Sequence, residues 1–180
     1  LINDVLDISK IEAGRVELEP AAIEPDAIVD ATITLLRGQL AAKKLRFSKL
    51  VAAGCPAVWA DGRALTQVLT NLIGNAIKFT PEGGSIGVLV SPRGRFVEFA
   101  ISDTGCGIAA ADIDRVFKPF EQADNRYARR AQGTGLGLAL VKGLVALHHG
   151  HCTIEREEGV GTTVRVLLPA HAGGLEAAVA

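Results

Sequence analysis

Asn71-Leu-Ile-Gly-Asn75-Ala-Ile-Lys78-Phe79-Thr80 sets two amides four residues apart and a lysine three residues further on. Residues at i and i+4 share a helix face, so Asn71 and Asn75 point at one object with Lys78 on the same side. Leu69, Leu72, Ile73, Ala76 and Ile77 supply an apolar face opposite, and the stretch reads as an amphipathic helix. Amide oxygens can complete a Mg²⁺ shell and an ammonium can meet a phosphate. The polar face therefore suits a metal-bound polyphosphate, and it equally suits plain solvation; this segment alone leaves both open.

Working outward, Asp61 is placed to cap the helix, and Pro81 with Gly83-Gly84 ends it. Upstream, Glu24 to Lys44 reads as a second helix with Ile28, Ala31, Thr32, Leu35, Leu36 and Leu40 inward and Pro25 in its first turn. Leu45–Val51 and Ala57–Ala60 are β-like, and Trp59 is assigned to the core. Leu1 to Glu12 carries a wide helical stripe at coiled-coil-like spacing, ended by Gly14, and Arg15-Val-Glu-Leu-Glu alternates as a short strand closed by Pro20. A domain boundary is placed there, giving 1–20, 21–170 and a tail over 171–180.

Downstream, Ser85–Val90 and Phe96–Ser102 form a hairpin around Pro92-Arg-Gly94, and Ala111–Val116 is a short helix. The polar stretch from Phe117 to Gln132 has the length of a functional loop. A helix runs through Leu147, followed by a final hairpin of Cys152–Arg156 and Thr163–Leu168. Strands in hairpin-like runs argue for an α+β fold: an α/β sandwich whose mostly antiparallel, mixed sheet is covered on one face by helices.

The 180 residues fit one sizeable domain, and a net charge of −1 without basic clusters leaves no footprint for nucleic acid. Cys55, Cys106 and Cys152 lie far apart without metal spacing and read as reduced thiols. No signal peptide is visible, and the apolar run Leu136–Leu147 is interrupted by Lys142 and too short to cross a bilayer. Without Met and opening in mid-pattern, the chain is expected to be a fragment of a longer protein.

Two glycine turns follow the amide helix. Asp103-Thr-Gly105-Cys-Gly107-Ile108 succeeds a strand and offers a carboxylate that can take a hydrogen bond from an exocyclic amine. Gly133-Thr-Gly135-Leu-Gly137 feeds a helix N-terminus, where free N–H groups and the dipole favour phosphate. Neither matches a dinucleotide fingerprint or a P-loop, and singly each reads as a plain loop.

In this order the segments closely resemble the four nucleotide-binding boxes of sensor histidine kinases: Asn71-x-x-x-Asn75-x-x-Lys78-Phe79, Asp103-x-Gly105-x-Gly107, Phe117-x-x-Phe120 and Gly133-x-Gly135-x-Gly137. Leu1 to Gly14 is similar to the end of that family's second dimerisation helix. The resemblance implies a Bergerat-type (GHKL) ATP-binding catalytic domain over 21–170, preceded by the end of the dimerisation helix and a linker strand. It implies ATP and Mg²⁺ as ligands, with Asn75 on the metal and Asn71 as a second metal ligand. Lys78 would reach phosphate, and these three would be the catalytic residues. Asp103 would hold the adenine amine, with Gly105, Gly107, Ile108 and Phe79 around the base. Gly133, Thr134, Gly135, Leu136 and Gly137 would cradle phosphates beneath a lid.

ATP-hydrolysing relatives of that family carry a water-activating glutamate where this chain has Asn71, and an amide has no basic group to do the same. Transfer to a nucleophile is therefore expected in place of hydrolysis. Within the family that nucleophile is a histidine on the first dimerisation helix, which this chain lacks, and His148, His149, His151 and His171 have no matching context. The implied partners are the histidine-bearing dimerisation domain of the same parent protein and a response-regulator receiver domain in a phosphorelay. The parent would be a homodimer and the fragment a monomer, cytoplasmic whether or not the parent is anchored in the inner membrane. A regulatory nucleotide-binding module without kinase output is the alternative. Arg126, Arg129 and Arg130 read as solvated lid charge, Arg129 being the choice if one clamps phosphate, and Phe117 and Phe120 as buried anchors of the lid base.

Overall fold

The computed structural model describes residues 2–121, 134–157 and 160–171. Helix α1 (Ile2–Glu12) is followed by strand β1 (Ala21–Ile23), helix α2 (Pro25–Ala42), strands β2 (Arg46–Val51) and β3 (Val58–Ala60), and helix α3 (Gly62–Phe79). Next come strands β4 (Ser85–Arg93) and β5 (Phe96–Asp103), a 3₁₀ turn (Ala110–Asp112) and the short helix α4 (Ile113–Val116). Helix α5 (Gly137–Leu147) and strands β6 (His151–Glu157) and β7 (Gly161–Pro169) complete the described elements.

Five strands make one sheet in the order β2-β4-β5-β7-β6. Only β2 and β4 run parallel; β4, β5, β7 and β6 pair antiparallel in turn. The fold is thus the α+β sandwich expected. Ile86, Val88, Val90, Val97, Phe99, Ile101, Val166 and Leu168 turn one sheet face toward Leu65, Leu69 and Ile73 of α3 and Leu140 and Leu144 of α5. Burying each large aliphatic side chain is worth about 1.5–3 kcal/mol, so this stripe, rather than intrinsic propensity, holds α3 in place. None of the described helices is long and apolar enough to cross a membrane.

Both ends of α3 are tied down. Asp61 accepts from the N–H groups of Arg63 and Ala64 at 2.9 and 3.0 Å, the N-cap that the sequence predicts. Its second oxygen accepts from Glu19 N–H at 2.9 Å, so the same carboxylate holds the segment before β1. Burial alone would raise this carboxyl, but the N–H groups of Ala64, Glu19 and Arg63 outweigh it and hold its pKa below the ordinary value. At the other end the Lys43 ammonium donates to carbonyls of the last turn.

Several local expectations need correction. Arg15–Glu19 forms no strand; the extended segment with a partner is β1, which pairs with β3. On α2 the buried face runs through Pro25, Ile28, Val29, Thr32, Leu36 and Leu40, at steps of three and four, while Ala31 and Leu35 face out, Leu35 at 67% exposure. Trp59 is 41% exposed because β3 has a single buried face, carried by Val58 and Ala60; its ring lies 5.2 Å from that of His171. The end of the described chain is tied to β3. Ala170 bridges Val58, and His171 N–H donates to Ala57 O at 2.7 Å.

Candidate functional site: a cleft between two helices and a strand end

A cavity of about 330 Å³ opens between α3, the end of β5 and the start of α5. From α3 come Asn71, Asn75, Lys78 and Phe79; from the turn after β5 come Asp103, Gly107 and Ile108; from the start of α5 come Thr134, Gly135 and Gly137. Residues more than sixty positions apart in sequence thus share one space. Gly105 does not line it; a Cβ added there would meet Asp103 Oδ1 and Phe79 O, both at 2.7 Å. Leu136 is wholly buried and does not line the cavity, and its N–H is taken by Thr134 Oγ1 at 3.2 Å. Arg129, Gly133, Arg126 and Arg130 lie outside the described residues.

The two amides do share a face. A Cβ added to Gly137 would stand 3.3 Å from Asn71 Oδ1 and 3.7 Å from Asn75 Nδ2, so the first turn of α5 lies against the amide pair. Leu136, the N-cap residue, brings no capping side chain to that turn, and no acid lies within it. The start of α5 thus brings backbone N–H groups and the positive end of a helix dipole to the cavity's edge, where Gly137 and Leu138 line it. Gly135 makes the approach achievable, with φ +71° and an added Cβ only 2.8 Å from the Phe120 carbonyl carbon. Its carbonyl accepts from Phe120 N–H at 3.1 Å.

Asp103 closes the opposite end. Burial raises its carboxyl above the ordinary range, opposed by N–H donation from Gly105 and Thr162. The Gly105 bond is 2.8 Å long. Held this way, one carboxylate acceptor is fixed by two backbone donors, in a cavity that apolar Ile101, Ile108 and Val164 also line. The arrangement suits a flat heterocycle bearing an amine. Burial likewise pushes the Lys78 ammonium below its ordinary pKa, and its Nζ lies 4.9 Å from the Phe79 ring centroid.

Sequence reasoning missed Thr162 and Val164. They reach the cavity because β7 pairs with β5 in a register that sets Thr162 opposite Asp103. No local signal in the chain marks that register. Asp4 of α1 also lines the cavity, as does Cys106, which has no family counterpart in the expected boxes. Phe117 is only half-buried, with the Lys142 ammonium 5.4 Å from its ring centroid, and Phe120 is 67% exposed with φ +64°, so Phe120 is not the buried anchor expected. Cys55, Cys106 and Cys152 form no disulfide, and burial pushes the Cys152 thiol up to about 11. His148 is spent structurally: Nε2 accepts from Asp61 N–H at 2.9 Å while Nδ1 faces Leu144 O at 2.7 Å.

Comparison with known proteins gives this geometry a context. Residues 60–172 match the family model described as histidine kinase-, DNA gyrase B-, and HSP90-like ATPase. An uncharacterised sensor-like histidine kinase of Rhizobium meliloti is 44% identical over 97% of this chain and 33% of its own length. Histidine protein kinase DivJ of Caulobacter vibrioides is 44% identical over 94% of this chain and 28% of its own. The chain thus spans a third or less of these curated relatives. Full-length ShkA, solved in complex with AMPPNP, superposes with a TM-score of 0.85 at 31% identity over 98% of this chain and 37% of that one. The nucleotide-free catalytic domain of histidine kinase ThkA shares the fold, with a TM-score of 0.75 at 23% identity over 85% of this chain and 99% of that one.

Proposed function

The chain belongs to the histidine kinase-, DNA gyrase B- and HSP90-like ATPase family, as a sensor histidine kinase catalytic domain, and on that premise we propose that it binds ATP with Mg²⁺ and delivers the γ-phosphoryl to a histidine of a dimerisation domain. The observation that supports the reading is a single cavity shared by a part-buried carboxylate, an amide pair with a lysine, and a helix start whose N-cap residue brings no capping group. These three suit the base, the metal-bound phosphates and the phosphate anion respectively.

Asp103 accepts from the adenine amine, with Gly107 and Ile108 against the ring. Lys78 meets phosphate as a point charge, and the N–H groups at the start of α5 meet it as dipoles. Asn71 and Asn75 fit Mg²⁺: amide oxygens are hard ligands, and this ion keeps waters and substrate phosphates in its shell. Among the described residues no group of three or more His, Cys, Asp or Glu could hold a metal instead. When bound, the ion supplies charge neutralisation across the polyphosphate. Asn71 offers no base to a water molecule, which favours an incoming imidazole over hydrolysis. Positioning and charge stabilisation then carry most of such a transfer.

The acceptor histidine, the dimeric parent and a response-regulator receiver that takes the phosphoryl onward belong to the same proposal, as does the division into 1–20, 21–170 and 171–180. The test mixes this chain with a separately made dimerisation helix pair carrying the histidine, labelled ATP and Mg²⁺. Acid-labile phosphate on the partner is expected. ATP binding without transfer would point to a regulatory module, and steady release of free phosphate by the chain alone would point to an ATPase.

A further inference from the structure

The last carbonyls of a helix have no partner within it, and in α3 they lie directly under Lys78 and Phe79. A single side chain from another helix takes most of them. Lys43 Nζ, at the C-terminal cap of α2, donates to Ile77 O at 2.8 Å, Lys78 O at 2.8 Å and Thr80 O at 3.0 Å. An ammonium has three donors, so all of its capacity is spent on this turn. The remaining carbonyl, of Phe79, faces the glycine turn that follows Asp103: a Cβ on Gly105 would lie 2.7 Å from it. Lys43 also contributes its own carbonyl, which accepts from Gly83 N–H at 3.1 Å. The exposed Lys44–Glu82 pair beside it, at 2.7 Å, adds little.

We propose that Lys43 is a positioning residue for the nucleotide site: by gathering the carbonyls at the end of α3 it fixes the turn from which the Lys78 ammonium is aimed into the cavity. Lys43 does not line the cavity and lies outside every motif that marks the site in the sequence. Its cation at the negative end of the helix dipole is also favourable in itself, so a purely stabilising role is the competing account.

The proposal rests on the ATP-site reading, and the experiment separates the two. ATP affinity is measured by calorimetry for the unaltered chain, Lys43→Met, Lys43→Arg, Lys78→Ala and the double variant Lys43→Met/Lys78→Ala. The temperature is one at which circular dichroism shows every variant folded. Lys43→Met is expected to weaken ATP by about tenfold in the native background and by less than about twofold in the Lys78→Ala background, the non-additivity of residues acting through one another. Lys43→Arg, which still presents several donors, recovers most of the loss. Should Lys43→Met lack native dichroism, Lys43→Gln is read in its place. Equal losses in both backgrounds would leave Lys43 a mere helix cap and overturn the proposal. Unchanged ATP affinity would overturn it while leaving the ATP site standing. Failure of the unaltered chain to bind ATP would overturn both.

Discussion

Two helix N-termini in this molecule are built in opposite ways. At α3 the side chain of Asp61 closes the first turn, taking two N–H groups, and a third from Glu19. At α5 the N-cap residue is Leu136, which has no capping group, and no acid lies in the first turn, although the turn borders the cavity. Capping contributes about 1 kcal/mol, so an open end beside a cleft forgoes stability that α3 secures. The contrast sets a helix end tied into the scaffold against one that, on the proposed reading, serves a ligand.

The contrast can be broken in four ways, taken from the largest effect down. Gly135→Ala forces a Cβ onto the Phe120 backbone at positive φ and should destabilise the fold by about 3 kcal/mol, read as a lowered denaturant midpoint. A change under about 0.5 kcal/mol would show the turn to be pliable. Gly137→Asp gives α5 the acid it lacks. ATP affinity should fall about 100-fold, near 2.7 kcal/mol, while the ligand-free protein changes by less than about 1 kcal/mol. Unaltered affinity would remove α5 from the phosphate site.

The base end should titrate independently of the phosphate end. On the proposed reading the ionised Asp103 is the acceptor, so ATP affinity should hold above its raised pKa and decline as pH falls through it, by at most about tenfold per unit. In the ligand-free protein the sign is the reverse: a folded carboxyl raised above its unfolded value contributes stability at low pH and loses it as pH rises through the folded pKa. Calorimetric affinities of Asp103→Asn should lack the acid limb; a limb of the same shape would assign it elsewhere. The smallest effect is Asp61→Ala, which makes α3 resemble α5. Stability should drop by about 1–2 kcal/mol with ATP affinity nearly constant. A parallel loss of affinity would mean that the scaffold end also serves the ligand.

Legibility from sequence followed the range of the interactions. The α3 stripe, its Asp61 cap and the β4–β5 hairpin depend on neighbours within four or a few more residues, and periodicity exposes them. The glycine turns and the amide pair were readable as parts, but their meeting at Gly137 depends on how α5 lies across α3. Thr162 depends on strand register and Lys43 on helix-to-helix packing across 34 to 37 residues, and neither leaves a local pattern. Leu35 and Trp59 were misassigned for the opposite reason: apolar character was read as burial, although the second face of a strand or helix tolerates it.

The pairing of β3 has a mechanical consequence. This three-residue strand is held on one side by β1 and touched at Val58 by Ala170, with His171 fastened to Ala57. Tension that draws Ala21 away from His171 therefore loads three residue pairs and one bridge, whereas β5 is joined to β4 and β7 by eight pairs each. β3 is therefore expected to yield, like a fuse, before the sheet beneath the cleft. Single-molecule pulling should record a small early extension with ATP binding retained, and simultaneous rupture of the whole domain would show that no such fuse exists.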